Sequence, residues 1–503
     1  MSTLNRREFL GMTMAGICLR AGLAWPEEAS GTKPERYNVL HLISDDLCNR
    51  LGCYGFPVKS PNIDGLAARG VKFDLAYCQY PLCNPSRASF MTGLRPDSTK
   101  VYVNKTHFRE NVPGAATIPQ SFQKAGYSVM RVGKIYHYGV PSQIGTDGLD
   151  DPASWEKVVN PKGRDVDDIG MVEVLQLGRD GKAETVTGRG LKNTGGTLSW
   201  LAAEGTDDEQ TDGRGAAAAV ELLEEFAKGS KPFYLAVGFY RPHTPFVAPK
   251  SYFGLYPRDK IELPVVPPNW KDLWPELSLA SQKPESVAMD DDLKRQALQA
   301  YYASTTFMDA QTGHVLDALE RLGLADKTIV IFHSDHGYHL GEKNLWQKQS
   351  VFDESARVPV IISVPGNKAN GQVCRRPVEL VSLHKTLTDL CDVSPASTVE
   401  GHSLRPLIEN PKAAWEHAAF SQVERRGSRL GTFGKDKATR LAGIMGRSVR
   451  TERWRYTEWD EGRAGVELYD HEQDPQEMKN LAKDPGHAER AQEMKALLRT
   501  GGE

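Results

Sequence analysis

The sequence predicts an α/β fold: a large, mostly parallel sheet between helices, with a small α+β domain at the C-terminal end. Three observations predict it. Two short apolar runs, Tyr37 to Ile43 and Thr328 to Phe332, read as buried strands, and each leads into metal-type side chains, Asp45-Asp46 and Asp335-His336. Helix-like and strand-like stretches alternate between them. Beyond about Trp415 the pattern shifts to short strands rich in Arg, Trp and Tyr, closed by a helical stretch from His487 to Leu498.

The chain has 503 residues, enough for one large domain and one smaller one with ample core. Its composition, 40% hydrophobic and 25% charged, is that of a globular enzyme. A net charge of −3 supplies no strong field for nucleic acid. Beyond residue 30 no apolar run is long enough to span a bilayer. The seven cysteines (18, 48, 53, 78, 83, 374 and 391) show no regular disulfide or zinc spacing. Cys374 and Cys391 either pair or stay free, and disulfides are not what holds this fold together.

Taken in order, Tyr37 to Ile43 ends in Ser44-Asp45-Asp46, two adjacent carboxylates at a strand's carboxyl end, which suit a hard divalent cation. A helix starting at Pro61 and a strand from Val71 to Tyr77 carry no chemistry. Pro81 to Gly93 then places Cys83 just before a helix-compatible run, Ser86 to Thr92. A nucleophile-sized side chain at the mouth of a helix sits where N–H groups and the dipole favour anions, and Arg87 adds a planar cation for oxyanions.

A helix over residues 117–126 precedes a strand from Tyr127 to Val132, which delivers Lys134 and His137, three residues apart and able to face one site. Residues 140–213 read as loop, rich in Gly and Asp. A helix from Gly215 to Phe226 and a strand from Pro232 to Phe239 lead to His243, clamped between Pro242 and Pro245 in a stiff, extended loop. A long amphipathic helix from Ala297 to Leu322 precedes the second metal-type strand. In a parallel sheet the two strand ends can be close neighbours, so Asp45, Asp46, Asp335 and His336 can converge from distant sequence. His339 has no assignable role.

The motifs together resemble the type I sulfatases. Cys83-Asn84-Pro85-Ser86-Arg87, with Ser89 and Thr92-Gly93, looks like that family's Cys-x-Pro-x-Arg signature, whose cysteine is oxidised after translation to formylglycine. The Asp pair at the first strand, Gly133-Lys134 with His137, and His243 stand where the family carries active-site residues. Asp335-His336 and Trp346-Gln347-Lys348 most resemble the iduronate-2-sulfatase branch. The resemblance implies an alkaline-phosphatase-like catalytic domain over 35–412 and a C-terminal subdomain over 413–503. It also implies one divalent cation, calcium by family or else magnesium, held by Asp45, Asp46, Asp335 and His336 with the residue derived from Cys83. Arg87 and the metal would activate the formylglycine hydrate. Lys134, Lys348 and His243 would stabilise the sulfate oxygens, with His137 or His243 protonating the leaving alcohol.

The implied reaction is hydrolysis of a sulfate monoester on a sulfated glycan or small ester. The alternatives are a phosphodiesterase or phosphonate monoester hydrolase of the same superfamily, and an inactive glycan-binding scaffold. Arg6-Arg7 before Phe9-Leu10 and an apolar run resembles a Tat export signal over residues 1–29. That implies a bacterial periplasmic or extracellular enzyme, with the Tat machinery and a sulfatase-maturation enzyme as partners. Tat carries folded proteins, so Cys83 would be oxidised in the cytoplasm, before folding finishes.

Overall fold

The computed structural model describes residues 36–188, 190, 194–425 and 443–501. Residues 1–29, read above as resembling an export signal, lie outside them. Residues 35–503 cluster as one compact unit. Among the described residues no helix is long and apolar enough to cross a membrane.

The core is a nine-stranded mixed sheet. Its centre runs Arg357–Ser363, Thr328–Ser334, Asn38–Ser44, Phe233–Gly238 and Ser128–Gly133. Asn38–Ser44 pairs in parallel with Thr328–Ser334 and with Phe233–Gly238, whereas Arg357–Ser363 is antiparallel to both its neighbours. Buried on both faces, the central strands read as nearly continuous apolar runs.

The period-two alternation of the first strand decides which helix layer each residue meets. Val39 and Ile43 pack with Phe90, Ile118, Phe122 and Leu387, from the helices Cys83–Thr92, Ile118–Lys124 and Leu383–Leu390. Leu40 and Leu42 point the other way, into Leu66, Leu222, Val315 and Leu319 from Pro61–Ala68, Thr211–Ala227 and Asp291–Arg321. At about 25 cal/mol per Å² of apolar surface removed from water, burial in these two layers stabilises the fold.

The sequence reading needs correcting in three places. Residues 140–213 are not all loop: Glu173–Leu177, Ala183–Val186 and Ser199–Ala203 form a four-stranded sheet with Phe246–Pro249. These strands are short, and Ser199–Ala203 finds its parallel partner far along the chain, so local periodicity could not reveal them. The signature helix starts at Cys83, three residues before the helix-compatible run, because Pro85 falls in its first turn, where a missing N–H costs nothing. The loop around His243 is a turn rather than an extended segment, with the His243 N–H donating to Tyr240 O (3.0 Å).

At the C-terminal end Ala419–Arg425, Ile444–Arg450, Trp454–Trp459 and Gly465–Asp470 make an antiparallel sheet covered by the helix Ala488–Thr500. Arg95, beside the signature helix, makes a bidentate pair with Glu379 (2.8 Å each), while Asp97 takes Arg447 and Gln422 from the C-terminal sheet. Both residues position the signature helix against its surroundings.

Candidate active site

Register builds the site. Asn38 to Ser44 runs level with Thr328 to Ser334, so both strands deliver their ligand-type residues at the same sheet edge. There the backbone of Asp46 turns left-handed (φ 63°), a conformation that Asp tolerates better than most residues. Three bonds hold the turn: Asp46 N–H donates to Asp335 Oδ1 (3.1 Å), the Tyr301 hydroxyl donates to Asp46 O (2.9 Å), and Cys48 N–H donates to that hydroxyl (2.9 Å).

The next strand pair brings in Lys134. Gly133 has φ 70°, and a Cβ there would meet Gly238 O at 2.1 Å; a Cβ on Gly238 would meet Lys134 O at 2.0 Å. Only glycines at both positions allow the chain to turn and send Lys134 beneath the sheet edge, where it pairs with Asp45 Oδ2.

Arg87 ties the two strands together. Its guanidinium meets Asp45 Oδ1 (3.0 Å) and Asp335 Oδ2 (2.9 Å), and donates to Lys134 O and Ile135 O (2.8 Å each). All three side chains are fully buried, so losing any partner would strand a charge at a cost of about 3–5 kcal/mol.

Cys83 is the first residue of its helix. Its Sγ lies 3.0 Å from Lys348 Nζ, 3.3 Å from His336 Nε2 and 3.7 Å from Asp46 Oδ1, and His137 is a further neighbour. Burial alone would raise this thiol, but Lys348, Lys134 and His336 outweigh it and take it well below the ordinary thiol range. Cys53, by contrast, is pushed up to about 12 and Cys374 to about 11, chiefly by burial. Cys374 and Cys391 are not joined in a disulfide.

Lys348 Nζ also donates to Asp46 Oδ1 (2.5 Å), and His243 Nε2 stands 3.8 Å from Asp46 Oδ2. His336 Nε2 lies 3.2 Å from Asp46 Oδ1. Burial works against a charge on His336, yet Asp335 and Cys83 outweigh it and hold its pKa at about 9. A dication ligated by this imidazole therefore displaces a proton. Burial also keeps His137 below its usual value, and its Nδ1 has no hydrogen-bond partner. The structure thus gathers every residue singled out from the sequence for this site. His339 stands apart, its Nε2 on Ser350 Oγ (2.7 Å).

The donor set suits a hard cation. Ligand atoms of Asp46, Cys83, Asp335 and His336 lie within 4.8 Å of one another, as do those of Asp45, Asp46, Cys83 and His243. Asp46 Oδ2, buried, has no hydrogen-bond partner. An orphaned carboxylate oxygen among converging acids is what a divalent cation satisfies. A cavity of about 780 Å³ opens beside these groups, with His243, Lys348, Lys105 and Arg425 in its wall.

Several contributors escaped the sequence. Tyr301 holds the Asp46 turn from the middle of a long helix, where nothing local marks it. Asn84 fastens the loop 103–106, as described below. Arg241 pairs with Asp165, and Asp212 accepts from Tyr240 N–H and Arg241 N–H (2.9 Å each), fixing the His243 turn. Arg425 reaches the cavity from the C-terminal sheet. Of these, only Arg241 carried a hint, being two residues from His243.

A family model described as Sulfatase matches residues 37–393. The chain belongs to the sulfatase family. A second model, N-sulphoglucosamine sulphohydrolase, C-terminal, matches this sulfatase over residues 341–501. Among curated relatives, iduronate 2-sulfatase of Homo sapiens is 34% identical over 90% of this chain and 89% of its own length. A sulfatase of Formosa agariphila is 30% identical over 98% and 92%. The chain is a sulfuric ester hydrolase of this family. Its fold recurs in a solved 2-O GAG sulfatase (TM-score 0.67, 24% identity, 93% of this chain and 92% of that one). It recurs equally in a phosphonate monoester hydrolase from Silicibacter pomeroyi (TM-score 0.73, 23% identity, 92% and 95%).

Proposed function

We propose that this sulfatase hydrolyses a sulfate monoester on a sulfated, uronate-type glycan, using a formylglycine made from Cys83. The observation that carries the reading is Cys83 at a helix N-terminus, 3.0 Å from Lys348 and 3.3 Å from His336, beside a cavity of about 780 Å³. The glycan class is supported by similarity to iduronate 2-sulfatase.

The side-chain contacts suggest the roles. Arg87 and the helix N-terminus hold negative charge close to position 83. Lys134 and Lys348 neutralise oxyanion charge that grows on the sulfate, in a site dry enough for each to be worth on the order of 2–4 kcal/mol in the transition state. His137 or His243 passes a proton to the departing alcohol oxygen. Oxidised to formylglycine and hydrated, residue 83 would supply the hydroxyl nucleophile for sulfur. Asp45, Asp46, Asp335 and His336 would hold one divalent cation, calcium or magnesium, which supplies Lewis-acid charge at the sulfate oxygens. Export through Tat, a catalytic region over 35–412 and a C-terminal region over 413–503 complete the proposal.

The experiment sets sulfate monoesters of sugars against a phosphonate monoester and a phosphodiester, with protein matured in cells that oxidise the signature cysteine. The reading expects kcat/KM for a sugar sulfate to exceed the others by at least tenfold. A preference for the phosphonate or phosphodiester would replace it.

A further inference from the structure

Four cations line the cavity: Lys105, Lys283, Lys348 and Arg425. Three have work within the protein. Lys348 serves Asp46 and Cys83. Lys283 donates to Gly196 O and Gln347 Oε1. Arg425 donates to Leu277 O (2.8 Å), Gln349 O (2.5 Å) and Ser278 O (3.4 Å), and stacks on Trp459. Among the described residues, Lys105 alone of the four makes no hydrogen bond or ion pair, and it is exposed.

Its position is nonetheless fixed. Asn84, the residue after Cys83, donates its side-chain amide to Val103 O (2.9 Å) and to Thr106 O (2.7 Å). Asn84 N–H donates to Asn104 Oδ1 (3.1 Å). These bonds grip the loop on both sides of Lys105 and fasten it to the first turn of the helix that carries Cys83. A loop anchored this way spends no ordering entropy when it meets a ligand. An unpaired ammonium so placed calls for an oxyanion from the substrate.

We infer that Lys105 binds a second anionic group of the substrate, besides the sulfate that is cleaved, so that the enzyme selects sugars carrying two negative charges. This rests on the sulfatase reading above. The shared chemistry is an oxyanion, supplied either by a uronic carboxylate or by a second sulfate. Lys105 is a specificity residue in this account, set apart from the groups that meet the reacting sulfur.

The test measures kcat/KM of the mature enzyme and of Lys105→Ala and Lys105→Glu on three substrates: a monosulfated neutral hexose, a sulfated hexuronic acid and a disulfated neutral hexose. The readout is the ratio of each doubly charged substrate to the neutral one. A charge-assisted bond at a partly solvated site predicts a fall in that ratio of roughly tenfold for Lys105→Ala and more for Lys105→Glu. The wild-type ratio should also shrink as salt rises. A fall with the hexuronate alone assigns the carboxylate, and a fall with the disulfate alone assigns the second sulfate. Ratios that do not move overturn the inference, even if every rate drops together. Should no sulfate ester be turned over by mature wild-type enzyme, the sulfatase reading fails first and this inference with it.

Discussion

Two buried clusters in this protein use the same side chains to opposite ends. At the sheet edge, Arg87 bridges Asp45 and Asp335 beside His336 and Asp46. Where the C-terminal sheet meets residues 353–357, Arg455 bridges Asp353 (2.6 Å) and Glu477 (2.5 Å), and His471 lies 3.1 Å from Glu477. Asp353, His471 and Glu477 are even close enough together to hold a metal ion. What separates the two is whether every carboxylate oxygen has a partner.

In the second cluster every carboxylate oxygen is used. Tyr77 donates to Asp353 Oδ1 (2.9 Å), Arg357 to Asp353 Oδ2 (3.4 Å), and Asp353 N–H to Glu477 Oε2 (3.0 Å). Arg455 already occupies the place a cation would take. In the first cluster Asp46 Oδ2 is left over, a thiol sits among the charges, and a cavity opens beside them. A cluster that neutralises itself is architecture. One that leaves an acceptor buried and unpaired is waiting for a ligand.

Chelation should break the comparison most visibly. Removing divalent cations with EDTA should lower turnover by on the order of a hundredfold or more, restored by calcium or magnesium. It should also lower Tm, since a cation that binds only the folded state stabilises it. If the second cluster held the metal instead, Glu477→Gln would abolish the restoration while Asp46→Asn would not.

Next in size is Arg455→Met, which leaves Asp353 and Glu477 buried without their bridge. Denaturant unfolding should show a loss of about 3–5 kcal/mol, with kcat of the folded fraction nearly unchanged. A large fall in kcat at unchanged stability would make this cluster part of the site.

The smallest effect is on acid stability. Burial would raise Glu477, but Arg455 and His471 outweigh it and pull it below its ordinary value of 4.5; Asp353 is likewise depressed, burial being outweighed by Arg455 and His471. Carboxylates depressed in the folded state give stability that is complete above the unfolded pKa and is lost as pH falls through the folded one. Glu477→Gln should therefore flatten the decline of unfolding free energy below about pH 4.5, by about 1–2 kcal/mol. An unaltered acid limb would show that the pair contributes no such linkage.

The site was more legible in the sequence than the scaffold around it, for a physical reason. Residues such as Asp45-Asp46 and Asp335-His336 sit at the ends of apolar strands, so both the strand and its chemistry are written locally. The small sheet over residues 173–249 is held by pairings between strands of only four or five residues, and no period emerges from so few. The partnering is also illegible where it is long-range. Nothing in sequence shows that Lys134 is taken by Asp45, that Tyr301 holds the Asp46 turn, or that Asn84 secures the loop bearing Lys105. The Arg455 cluster was not singled out at all, because its members come from three separate stretches without a motif.

The measurement that tests the central claim most directly is the mass of the peptide containing Cys83, from active protein made beside a maturation enzyme, compared with that from Cys83→Ala protein for turnover. The account predicts a peptide lighter than the thiol form by about 18 Da, or nearly unchanged when the aldehyde is hydrated and then trapped by an aldehyde reagent. It also predicts a loss of turnover on the order of ten-thousandfold in the alanine variant. Unmodified cysteine in fully active protein, or an alanine variant that keeps its turnover, would contradict it.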